Sequence, residues 1–143
     1  MAVNYLKAMQ SYLKDSDLPK LEQLVVIKSW WDTVDILDRV VGSLVYEKQE
    51  LEKIILQWSL SDNIWLRRVA IDHQLLRKEK TNVQLLEKIL FHNLNQTEFF
   101  INKAIGWALR DYSKTNPTWV AGFIEKNKER MADLSIKEAS KYF

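Results

Sequence analysis

The chain has no cysteine among its 143 residues. That excludes disulfides, iron–sulfur clusters, thiolate zinc and a cysteine nucleophile. Glycine occurs three times and proline twice, too few for collagen, flexible linkers or a turn-rich β sandwich. The only histidines are His73 and His92. They cannot build a histidine metal cage, so no metal and no cofactor is expected. No apolar run approaches the ~20 residues of a membrane span. No secretory signal opens the chain either, so the expectation is a cytoplasmic protein with no membrane partner. A P-loop, a dinucleotide glycine pattern and a nucleophile elbow are absent too. The net charge of +2 is too small to name a partner, but it is unevenly spread. Residues 1–62 carry 7 basic and 10 acidic side chains, and residues 63–143 carry 14 and 9. A basic C-terminal portion suits a polyanion but does not require one.

What is present is helical throughout. Apolar residues recur at three and four, with Leu, Ile, Lys, Glu and Gln dominant. The pattern predicts helices near 3–14, 18–28, 30–45, 48–58, 63–79, 83–93, 98–114, 117–129 and 135–142. Thr81 with Gln84, and Ser135 with Glu138, have capping-box spacing. Asp17 and either Asp62 or Asn63 suit N-caps, and Asn116–Pro117 reads as N-cap followed by N1. Short helices with short connections imply antiparallel pairs.

A weak repeat runs through the pairs. The segment from Ile64 to Val69 overlays that from Phe99 to Ala104 at an offset of 35, and Thr33 to Ile36 overlays Leu66 to Val69 at 33. Two-helix periods in the thirties mark an α-solenoid, a superhelix of HEAT-like pairs. In that register Asp35, Arg68 and Lys103 are equivalent positions. Trp31 lies four residues before Asp35 and Trp107 four after Lys103, so each shares a helix face with its neighbour. These five residues are expected to line one surface, with the concave side the natural place. Arg67–Arg68 reads as a surface pair or as a phosphate clamp. Lys103, Arg110 and Lys114 continue a basic line. Asp32, Asp35 and Asp38 read most simply as a solvated acidic face. Trp58, Trp65 and Trp119 are assigned to the core, one of Trp30 and Trp31 packs inward, and both histidines are structural.

Three motifs then stand together: residues 28–35 (KSWWDTVD), 63–71 (NIWLRRVAI) and 99–110 (FFINKAIGWALR). Their order and spacing resemble the DNA alkylation repair family of HEAT-like DNA glycosylases, the AlkD type. The resemblance implies an all-α superhelix with a basic groove for duplex DNA. It implies release of cationic alkylated purines, chiefly 3-methyladenine and 7-methylguanine, without a cofactor. By the same resemblance the catalytic aspartate is Asp35, the DNA-facing tryptophans are Trp31 and Trp107, and the groove arginine is Arg68 with Arg67 as the fallback. Lys103 joins Arg68 in holding phosphates. The partner implied is double-stranded DNA carrying alkylated bases. Two other uses stay open: a DNA-binding HEAT module without catalysis, and a protein-interaction scaffold. Family members carry further N-terminal repeats, so residues 1–143 are read as one HEAT-like domain lacking them. That predicts an exposed apolar end at Val3, Leu6 and Leu13, suited to self-association.

Overall fold

The computed structural model describes residues 13–27 and 30–143, without the side chains of Trp31 and Asp32. Residues 3–12 of the helix expected over 3–14, with Val3 and Leu6 of the proposed apolar end, lie outside the described residues; Leu13 and Lys14 are not helical, and Leu13 is half-buried rather than exposed. Among the described residues there are eight α-helices and no strand, the all-α architecture expected of HEAT-like pairs. They are α1 (Leu18–Ile27), α2 (Trp31–Glu47), α3 (Glu52–Trp58), α4 (Ile64–Asp72), α5 (Val83–His92), α6 (Phe99–Ser113), α7 (Pro117–Asn127) and α8 (Asp133–Ala139). None is long and apolar enough to cross a membrane. The chain divides into two compact units, Met1–His73 and Gln74–Phe143.

In the first unit α2 packs on α1 and α4, and α4 packs also on α1 and α3. The stripe Val34, Leu37, Val41, Leu44 and Val45 is buried, as spacing at three and four demands. Leu21 and Val25 of α1, Ile55 of α3 and Val69 of α4 complete the core. Each buried Leu or Ile stabilises the fold by about 1.5–3 kcal/mol. Gly42 lets α2 approach the end of α4 closely: a Cβ there would fall on the carbonyl oxygen of His73. In the second unit α6 packs on α7 and α8, through a core that includes Ile101, Ile105, Leu109 and Val120.

The glycines give a direct test of this packing. Gly42→Ala should cost about 3 kcal/mol, because backbone must move to admit the methyl. Gly122, inside α7, has open space around its Cα. Gly122→Ala should therefore stabilise by about 0.5–1 kcal/mol through helix propensity. Urea midpoints of the two variants should move in opposite directions.

Helix ends follow local chemistry, with some departures from expectation. Asn63 caps α4, its Oδ1 accepting from the Trp65 and Leu66 N–H groups at 2.9 and 3.2 Å. Asn116 caps α7 by accepting from Trp119 N–H at 3.0 Å, with Pro117 at the first helical position. The cap of α5 is Asn82, not Thr81. The helix α8 starts at Asp133, so Ser135 is inside it, and its Oγ donates to the Asn102 carbonyl at 2.7 Å. The helix expected over 63–79 ends at Asp72. Leu76 and Lys78 have φ of 69° and 55°, a left-handed backbone that cannot continue a helix. In the second unit the Leu76 N–H is held by Asp111 Oδ2 at 2.9 Å.

Candidate functional site

Asp35 is half-buried in the second turn of α2, one turn beyond Trp31. Its partner is Arg68 on α4, in the same unit. Arg68 Nε donates to Asp35 Oδ1 at 2.9 Å and Nη2 to Oδ2 at 3.3 Å. This is a forked, two-bond pair of the strong kind. The two residues are 33 apart, the offset at which the repeats overlay. Arg68 itself is only 2% exposed, so the structure places it inside the helix layer, while Arg67 is the half-buried member of the pair. Burial works against the Arg68 charge, but the Asp35 hydrogen bonds and the charges of Asp72, Asp35 and Asp38 outweigh it and raise its pKa.

Asp35 and Asp38, the two described members of the acidic run on α2, do not form a solvated face. Asp38 is buried. Burial pushes its carboxyl up to about 7, against the pull of Arg39. Arg39 Nε donates to Asp38 Oδ1 at 3.0 Å, and its Nη2 donates to the Asp72 main-chain carbonyl at 3.0 Å. Asp35, Asp38 and Asp72 each bring a carboxylate oxygen within 4.8 Å of the others. Such a trio has the donor chemistry for a hard cation, but Arg39 and Arg68 already supply positive charge to it. The side chains of Trp31 and Asp32 lie outside the described residues. Trp30 precedes α2 and is 59% exposed, so it is not the inward-packing member. His73 is structural: its Nδ1 donates to the Ala70 carbonyl at 2.7 Å. Trp58 is buried, whereas Trp65 and Trp119 are only half-buried.

The second unit carries the other predicted residues. Trp107 is half-buried on α6, with the Lys103 ammonium 5.9 Å from its ring centroid. Lys103 Nζ donates to Glu138 Oε1 at 3.0 Å, and Arg110 lies 3.6 Å from Glu138 Oε2. The Lys103 hydrogen bond holds the Glu138 carboxyl below its ordinary pKa. Arg110 Nη2 also donates to the Tyr142 hydroxyl at 3.3 Å, which lowers the pKa of that phenol. An open depression of about 340 Å³ is lined by Leu75, Trp107, Arg110, Asp111 and Lys114. The spacing of four placed Lys103 beside Trp107, as observed, but did not show that Glu138 pairs with Lys103. The signal was available: Glu138 lies 35 residues beyond Lys103, one more step of the same register.

A family sequence profile described as DNA alkylation repair enzyme matches residues 1–143. The chain belongs to the DNA alkylation repair enzyme family. A solved structure described as a predicted DNA alkylation repair enzyme from Enterococcus faecalis is 36% identical to it, with a TM-score of 0.91. That similarity covers 99% of this chain and 66% of the other, so the chain spans just under two thirds of that relative's length. No curated protein matches. Within the repair family the Asp35–Arg68 pair gains a context that neither the acidic run nor the arginine doublet supplied alone.

Proposed function

We propose that the chain is a monofunctional DNA glycosylase that releases cationic alkylated purines, such as 3-methyladenine and 7-methylguanine, from duplex DNA. The observation that carries this reading is the forked Arg68–Asp35 pair: a half-exposed carboxylate fixed from behind by a buried guanidinium. A purine alkylated at N3 or N7 is already positively charged and leaves without a general acid. Positive charge then builds on the deoxyribose as the glycosidic bond stretches. A fixed carboxylate stabilises that charge and positions the attacking water. A carboxylate offers about four lone-pair sites. Arg68 takes two, which leaves two for water and sugar.

The other roles come from the family. The resemblance assigns Trp31 and Trp107 to DNA contact, and an indole placed against positive charge is worth about 0.5–2 kcal/mol. Arg67 and Lys103 hold phosphates, which fixes register without reading sequence. Arg68, being buried, serves Asp35 in this reading. Duplex DNA containing 7-methylguanine is the test substrate. The expected result is release of the free base, leaving an abasic site and an intact strand, with binding that weakens steeply as salt rises. Salt-dependent binding without base release would support a non-catalytic DNA module. Absence of both would support the scaffold reading.

A further inference from the structure

Asp72 has no part in the chemistry above, yet it lies in the same layer. It ends α4, one turn beyond Arg68, and α4 packs on α2. Together the two helices bring three carboxylates and two guanidiniums into one cluster. Arg68 gives two N–H groups to Asp35. Arg39 gives Nε to Asp38 and Nη2 to the main-chain carbonyl of Asp72. Asp72 is 1% exposed, and its Oδ1 has no hydrogen-bond partner.

An ionised carboxylate left without a partner in such a place is costly, whereas a neutral acid is far less so. Two guanidiniums balance two carboxylates, not three. A divalent cation would balance the third only by being placed against both arginines. We infer that Asp72 is held as a neutral acid and acts as a positioning residue for Asp35, because an uncharged Asp72 leaves Arg68 committed to Asp35. Its bearing on catalysis rests on the reading of Asp35 given above; its protonation does not.

The electrostatics agree. Burial pushes the Asp72 carboxyl well above the ordinary range, the Asp38 charge adds to the shift, and Arg68 opposes it. The charges acting most strongly are Asp38, Asp35 and Arg39 from α2 and Arg68 from α4 itself. The other helices packed on α4 bring Lys20 and Glu22 (α1) and Glu52 and Lys53 (α3). Lys20 is turned outward, 3.9 Å from Asp17. The neighbouring titratable ring, His73, is bonded to Ala70. A raised carboxyl pKa makes stability greatest at low pH, with the loss growing as pH rises toward the folded-state value.

The test uses the full chain labelled with ¹³C at aspartate Cγ and followed by NMR from pH 4 to pH 8. The Asp72 resonance, assigned through its own backbone, should stay at the neutral-acid position through pH 7. Asp72→Asn, a neutral mimic, should leave the Arg68 Nε–H resonance in place and base release within about threefold of the parent. It should also flatten the decline of stability from pH 5 to pH 8. Asp72→Ala, which removes the side chain's packing, should shift the Arg68 signal, with Asn as the rescuing variant. An Asp72 signal that ionises below pH 6 would overturn the inference. So would an Arg68 Nε–H that moves in Asp72→Asn, or an Asp72 signal that shifts on adding magnesium or manganese at low millimolar concentration. A chain that keeps the neutral Asp72 and an unmoved Arg68 but releases no base would sink the glycosylase reading and leave this assignment standing.

Discussion

Asp35→Asn should release 7-methylguanine from duplex DNA about a hundredfold more slowly than the parent chain, with DNA affinity changed less than threefold. The size follows from one charge. Two unit charges 4 Å apart at an effective dielectric of about 20 interact by about 4 kcal/mol. The forked contact with Arg68 offsets part of that, leaving roughly 3 kcal/mol for the sugar, and 1.36 kcal/mol is tenfold in rate. The amide keeps the volume and one acceptor, so folding and duplex binding should survive. The loss therefore belongs in the chemical step, as slower single-turnover release at saturating protein. A variant as fast as the parent would remove Asp35 from the mechanism. A variant with normal chemistry but weak binding would make it a binding residue instead.

The relation between Asp35 and Arg68 was legible in the sequence because repeats align equivalent positions. An offset of 33 placed the two in register, and the structure joins them at 2.9 Å. The same offsets recur elsewhere in the chain. Arg39 to Asp72 and Ser135 to Asn102 also bridge 33 residues, and Lys103 to Glu138 bridges 35. Burial was the part that spacing could not show. Asp38 and Arg68 look like surface residues by type, since isolated charges are rarely enclosed. They are enclosed here because each has a counter-charge on the facing helix or next to it, and a pairing across helices leaves no trace in the local pattern. The early end of α4 was hidden for a related reason. Apolar spacing runs on through Leu75 and Leu76 with no Gly or Pro to stop it, and Leu76 enters the left-handed region with its N–H taken by Asp111.

Arg68→Met is expected to carry the largest cost in stability, about 3–5 kcal/mol, far above the ~0.5 kcal/mol typical of a surface substitution. Methionine keeps much of the length and the apolar stem but no positive charge. Asp35 loses both hydrogen bonds, and Asp38 and Asp72 lose a cation that favours their ionised forms. The pH dependence separates this account from simple loss of packing. Burial already holds Asp38 at about 7 in the parent, and losing Arg68 raises it further. For an acid with a raised folded-state pKa, stability is full below the unfolded value near 4 and falls as pH climbs. The gap between Arg68→Met and parent should therefore be small at pH 5, where the buried acids keep their protons, and widest near pH 8. Urea unfolding at both pH values measures it. A gap that is the same at both would mean that the guanidinium fills space rather than balancing charge. A gap wider at pH 5 would mean that the acids it neutralises are ionised well into the acid range, and the charge balance of this layer would have to be redrawn.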